Sequence, residues 1–506
     1  MVELDVMQDI TFEQFYRTLG FIKYPFQNRT AEKEDTSRLF VKPFDYSRLE
    51  DGLSNTNTTI ICGNRGSGKT ISLLDLISKV PSTRLHCLID NFEDVALVNN
   101  QLDFYSLILK NITKRLVVFL AEHKQLLKKA KYEDKVLLSF LIMKYGDSIT
   151  DNQLQIELES IQLSWIQRII NKISVPLTHI LNYGSTAVTN FGNELLTKQF
   201  GSYLPEINEG KIKEIFPYIK FKVQNQFNSV DVSYSLLERV FQLTKRLTGF
   251  VPVIFVDKLD EDIRLENDAD LVSKFIKDLV CDTKLLLNPD IQLIISVWQI
   301  PFGLLNTIFR ESKVSMYRLS WKPKQLETVL DHRLSIYSDG KITKYRQLFD
   351  EDVTEDDLQD IYTLSNSNPR DLWGIFDSLF NAQYTIDSNH KKLSQQAIVN
   401  GLQDFVENFQ FYEYYPRQKN ARRNTNDIYS YIGYLLKLKG TTEFTNDELR
   451  QSASTGGSTS NYITGMMNIG LITKTGKKRH GGAVIYQVSD PKVVYAIMNE
   501  IDISKI

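Results

Sequence analysis

The chain has 506 residues, 42% hydrophobic and 24% charged, with a net charge of −2. This length points to two to four domains, the apolar content excludes a disordered chain, and near-neutrality argues against a histone-like or tail-driven nucleic-acid binder. Three widely separated cysteines, Cys62, Cys87 and Cys281, exclude a disulfide framework and a cysteine-based zinc site, and no apolar run is long enough for a membrane helix. With no secretory signature at the start, a cytoplasmic protein that does not engage membranes is expected.

In chain order, residues 9–55 hold a short helix pattern and then Gly20-Phe21-Ile22-Lys23-Tyr24-Pro25-Phe26, an aromatic lead-in expected to pack on the body that follows. Thr58-Thr59-Ile60-Ile61-Cys62 reads as a strand. It runs into Gly63-Asn64-Arg65-Gly66-Ser67-Gly68-Lys69-Thr70 and the helical period of Ile71 to Val80. Strand, glycine-rich loop and helix form a phosphate-binding unit: the loop wraps backbone N–H groups around phosphate oxygens, Lys69 reaches the terminal phosphates, and the Thr70 hydroxyl can ligate Mg²⁺.

Leu85 to Asp90 is a further strand candidate. Asp103–Lys129, Tyr132–Tyr145 and Gln153–Leu181 then carry Leu, Ile and Phe at helical spacing, so residues 100–225 read as a helical insertion. The phosphate loop needs a carboxylate on the metal side, and the apolar strand Gly249 to Val256 delivers Asp257. The next residue is Lys258, where many motor ATPases carry a glutamate, so water activation falls to Asp260 or Glu261. After the helical stretch Asp268–Leu279, Ile291–Val297 reads as a third parallel strand whose polar tip, Ser296 to Gln299, is either a γ-phosphate sensor or a plain strand end. Residues 1–99 and 226–305 therefore form the expected ATPase core.

Residues 306–410 read as a helical lid. Arg310 and Arg318 are candidates to reach a neighbouring subunit's nucleotide as arginine fingers. In Asn368-Pro369-Arg370 the proline opens a helix and fixes Arg370 in its first turn, where a positive charge opposes the helix dipole unless it faces a phosphate.

Residues 411–506 carry thirteen Lys/Arg against eight Asp/Glu, a surplus of +5 that leaves −7 on residues 1–410. The aromatics Phe409, Phe411, Tyr412, Tyr414 and Tyr415 are expected to be core rather than a base-stacking platform. A helix at Ile428–Leu438, a capping box opening at Thr445, and a third helix at Ser458–Ile469 precede two strands around Gly476–Gly482. Three helices and a two-stranded wing make a winged helix. Ser458 and Asn461 would face the major groove of double-stranded DNA, and Lys477, Lys478 and Arg479 would meet phosphates or the minor groove.

These motifs together resemble the AAA+/STAND superclass of P-loop ATPases, most closely the prokaryotic origin-recognition and helicase-loader group. The similarity rests on Leu19 to Phe26, Phe40-Val41-Lys42-Pro43, Gly63 to Thr70 and Val256-Asp257-Lys258-Leu259-Asp260-Glu261. It implies that Lys69 and Thr70 bind ATP and magnesium, that Asp257 is the magnesium aspartate, that Arg370 reads the γ-phosphate, and that nucleotide state is coupled to oligomerisation. Lys258 departs from the pattern, as does the insertion. The expected function is an ATP-binding and ATP-hydrolysing switch on double-stranded DNA. The rivals are a signalling or phage-defence scaffold acting through a partner protein, and a transposon-type DNA-targeting ATPase.

Overall fold

Five strands, β1 (Thr59–Gly63), β2 (His86–Ile89), β3 (Val253–Val256), β4 (Gln292–Trp298) and β5 (Ser315–Arg318), form an all-parallel sheet in the order β2-β3-β4-β1-β5. The computed structural model describes residues 10–27, 36–145, 229–417, 427–479 and 481–504. Successive side chains of a strand point to opposite faces, and the sheet uses both. Ile60, Cys62, Ile254, Val256 and Ile295 join one core, and Ile61, Val253, Phe255 and Ile294 join the other. The central strand β4 is buried along its whole length. The result is an α/β fold compatible with a phosphate-loop core, in which the chain passes over β4 and β3 between β1 and β2. That crossing leaves a crevice beyond the strands' carboxyl ends, where open parallel sheets bind ligands.

The first face is covered by helices Gln101–Glu122, Val230–Thr248 and Ala269–Val280. The last is amphipathic, with Val272, Phe275, Ile276 and Leu279 buried. Its cap is Asp268, whose carboxylate accepts from the N–H groups of Asp270 and Leu271. Gln101–Glu122 and Tyr132–Tyr145 share this core, so the described part of the expected insertion is packed onto the sheet. Residues 146–228, including the expected helix Gln153–Leu181, lie outside the described residues.

The second face is covered by helix Lys69–Ser78 and continues into helices Pro323–Tyr337, Glu355–Leu364, Pro369–Ile386 and Gln395–Glu407. The N-terminal aromatics Phe15, Phe21, Tyr24 and Phe26 pack among Trp373, Phe376 and Phe380 of helix Pro369–Ile386, in the expected lid and not on the core that the lead-in reading expects.

At the C-terminus, helices Ile428–Leu436, Asn446–Ser452 and Thr459–Asn468 combine with a small antiparallel sheet, whose first strand lies between the first two of them, and with helix Pro491–Met498. The strands β6 (Glu443–Phe444), β7 (Ile472–Lys478) and β8 (Val484–Val488) take the order β6-β8-β7. Thr445 and Glu448 form the capping box seen in the sequence. Ile463, Met466 and Ile469 are buried, with Tyr462 and Met467 half-buried beside them. No described helix is long and apolar enough to cross a membrane.

Candidate functional site

The carboxyl ends of β1 and β3 bring the expected phosphate-binding residues together. The helix Lys69–Ser78 starts at Gly68, and both Gly66 and Gly68 have left-handed backbones, with φ +79° and +95°. A Cβ on Gly66 would stand 2.7 Å from Asn368 Oδ1 and 2.8 Å from Arg370 Cβ. Glycine is therefore needed here for conformation and for the close approach of a second element. Gly66→Ala is expected to cost roughly 1–2 kcal/mol for the left-handed backbone alone. It should also push the Asn368–Arg370 turn off the loop, which thermal unfolding together with nucleotide titration will register.

Lys69 Nζ curls over the loop and donates to the carbonyls of Gly63 and Asn64, each at 3.2 Å. Across from it the strand register sets Asp257 beside Ser296, whose hydroxyl donates to the Asp257 carboxylate. Thr70 lines the same cavity, and its hydroxyl favours the ionised form of Asp257. Burial is the largest influence on this carboxyl and raises it above its ordinary value, against the opposing pull of those two hydroxyls and of Lys69.

A cavity of about 240 Å³ opens over these groups. Its lining includes the polar Lys69, Thr70, Asp257, Glu261 and Arg370 together with the apolar Leu39, Val41, Val329, Trp321 and Trp373. Trp321 is fixed by donating from its indole N–H to the Ser67 carbonyl at 2.8 Å. Arg333, also lining the cavity, is buried with its Nε donating to the Pro25 carbonyl and its guanidinium 4.7 Å from the Trp373 ring centroid. A lining that combines charged groups with flat aromatic surfaces suits a ligand carrying both anionic and planar apolar parts.

Two observations test whether these residues fit ATP and Mg²⁺. The Ser67 hydroxyl is buried in the loop with no hydrogen-bond partner among the described residues. No group of three or more His, Cys, Asp or Glu among the described residues could hold a metal alone. One carboxylate, one hydroxyl and substrate phosphates are what Mg²⁺ takes in such sites, and Asp257 with Thr70 matches that set.

No family model matches the chain, and no curated protein matches it at significant similarity. The site therefore stands on its own geometry.

Asp260 and Glu261 part company in the structure. Asp260 is buried and held by Arg65, whose Nε lies 2.7 Å from its carboxylate and whose Nη2 donates to its carbonyl at 2.9 Å. Arg65 also lies 4.0 Å from the Trp298 ring centroid and donates to the Asn267 side chain. Glu261 is exposed at the cavity wall. Lys258 has a left-handed backbone, φ +60°, and its ammonium lies 3.8 Å from Asp90.

Arg370 occupies the first turn of helix Pro369–Ile386 and lines the cavity, as its position after Pro369 suggests. Asn368 caps that helix through its side-chain oxygen and donates from Nδ2 to the Arg65 carbonyl at 2.8 Å. The preceding Asn366 and Ser367 both have left-handed backbones. Arg310 and Arg318 do not line this cavity. Arg310 is exposed beside Ile308 and Phe309, and Arg318 makes a bidentate pair with Glu311 at 2.6 and 2.9 Å.

Of the residues expected to face DNA, Ser458, Asn461, Lys477 and Lys478 are exposed. Arg479 is turned back onto Glu448 at 2.7 Å. The residues missed in the sequence are Trp321, Arg333, Asn368 and Trp373. Only Asn368 carried a local signal, a capping residue before Pro369.

Proposed function

We propose that the chain is an ATP-binding and ATP-hydrolysing molecular switch that couples nucleotide state to self-association and to double-stranded DNA. The observation that carries this reading is the meeting of Lys69, Thr70, Asp257 and Arg370 in the lining of one cavity. Lys69 would exchange its carbonyl partners for phosphate oxygens, and the loop N–H groups would hold the rest of the phosphate chain. Thr70 and Asp257 would hold Mg²⁺, which supplies charge neutralisation of the phosphates when bound. Residues 306–410 serve in this reading as a lid, with Arg370 sensing the terminal phosphate. Glu261, exposed at the wall, would orient and deprotonate water.

The C-terminal helices and strands are read as a winged helix whose exposed Lys477 and Lys478 meet DNA phosphates. One observation favours the rival, a scaffold acting through a partner protein. Helix Thr459–Asn468 contains no Lys or Arg, and Arg479 is already paired with Glu448.

ATP titration of the full chain and of Lys69→Ala tests the first part: loss of binding in the variant is expected, and equal binding sinks the site. For DNA, affinity for duplex should fall with salt, and Lys477→Ala with Lys478→Ala should flatten the log–log slope by about 0.9 for each phosphate no longer neutralised. A slope of zero in the wild type leaves the scaffold reading.

A further inference from the structure

We infer that Lys492, far from the cavity in sequence, is a positioning residue for it: the C-terminal module supplies the cation that holds the Arg370-bearing turn on the phosphate loop. The Lys492 side chain is completely buried, 0% exposed, and its Nζ lies 3.0 Å from Asp371 and 3.7 Å from Asp490. Asp371 neighbours Arg370 in the first turn of helix Pro369–Ile386. Lys492 belongs to helix Pro491–Met498, which Asp490 caps. The ammonium also lies 4.4 Å from the Phe409 ring centroid and 5.4 Å from that of Tyr414.

A buried lysine is costly unless it is fully paired, so this cluster is an anchor and not an incidental surface pair. Burial works against the ammonium, yet Asp371 and Asp490 outweigh it and hold Lys492 above its ordinary value. Tyr414 closes the circuit. Its hydroxyl accepts from Asn64 Nδ2 in the phosphate loop at 2.9 Å and from Asn366 Nδ2 at 3.4 Å. The turn from Asn366 to Asp371 is thus gripped by the loop on one side, through Asn368 and Arg65, and by Lys492 on the other. Two adjacent left-handed residues, Asn366 and Ser367, need such a grip, because that backbone is unfavourable without support.

The inference rests on the reading of the cavity as a nucleotide site, and its test separates the two. ATP binding and amide hydrogen exchange are measured on the full chain as wild type, Lys492→Met, Asp371→Asn and the double variant. Each single variant is expected to weaken ATP by roughly tenfold, within the range of coupling between sites, and the double variant by no more than the worse single. Amides of residues 65–68 and 366–371 should exchange faster in both. By reciprocity, ATP should slow exchange in helix Pro491–Met498 of the wild type but not of Asp371→Asn, a change that a purely structural pair would not produce. Folded variants with wild-type ATP affinity and wild-type exchange overturn the inference. If the wild type itself fails to bind ATP, the nucleotide reading falls, and exchange at residues 65–68 and 366–371 alone decides the positioning role. Should Lys492→Met not fold, Asp371→Asn, which leaves Lys492 beside Asp490, carries the test.

Discussion

Asp257→Asn is expected to invert the protein's order of stability when Mg²⁺ and ATP are added. Without ligand the variant should be more stable than the wild type by roughly 0.5–2 kcal/mol, because it removes a buried carboxylate that has no cationic partner within ion-pair distance among the described residues. With Mg·ATP at a hundredfold excess over its dissociation constant, the wild type should gain about 2.7 kcal/mol, and the variant little. Crossing thermal midpoints with and without ligand are the measurement; a variant that is less stable in both conditions removes Asp257 from the metal role.

The pH dependence gives the same assignment an independent check. Burial raises the Asp257 carboxyl above its ordinary 3.8, so the folded state holds its proton more tightly than the unfolded chain does. The stability this contributes is complete below the unfolded value and is lost as pH rises through the raised folded value. Asp360 and Asp371 are raised by burial too, and so contribute with the same sign, while Asp262 and Asp357, held low by hydrogen bonds, contribute with the opposite one. Asp257→Asn should subtract its own contribution and leave the others.

Glu261→Gln should lower ATP turnover by about 10²–10⁴-fold while leaving ATP affinity within a small factor, as expected for loss of a general base. Asp260→Asn should behave differently. Its carboxylate is engaged by Arg65, so the change breaks a largely buried pair and costs on the order of 3 kcal/mol of stability. Arg65→Ala should resemble it. Turnover and thermal unfolding of the three variants separate the roles: a turnover defect in Asp260→Asn with stability unchanged would transfer the base to Asp260.

How much of this was legible in the sequence depended on the range of the interaction. β1, the loop and its helix were readable because an apolar run, three glycines and a helical period follow one another without a break. β3 and β4 were readable for the same reason, as continuous buried runs. β5 was not, because Ser315-Met316-Tyr317-Arg318 buries only Tyr317 and looks like a loop. Helical spacing announced a helix over Asp103–Lys129, of which the structure keeps Gln101–Glu122 and turns Lys124–Lys129 into a 3-10 helix; periodicity names a helix without naming its partner, and this one lies on the sheet. The pairs that organise the site are longer in range still. Arg65 and Asp260 are 195 residues apart, and Asp371 and Lys492 are 121 apart. Nothing around Pro491-Lys492-Val493 distinguishes that lysine from a surface residue.

The hydrogen bonds of residues 411–417 bear on how this chain can be recombined. Asn267 donates to the carbonyls of Tyr412 and Tyr415, and the Arg417 N–H donates back to the Asn267 carbonyl, so the segment is sewn to the turn that receives Arg65. A charge reversal at residue 411 looks like a seam where one module ends and another could be exchanged. Cutting there would strip partners from Asn64, Asn267 and Asp371 at once and bare the apolar surface around Phe411. Grafting a foreign tail, or inheriting one by gene fusion, would succeed only if the newcomer brought a lysine to the same buried spot.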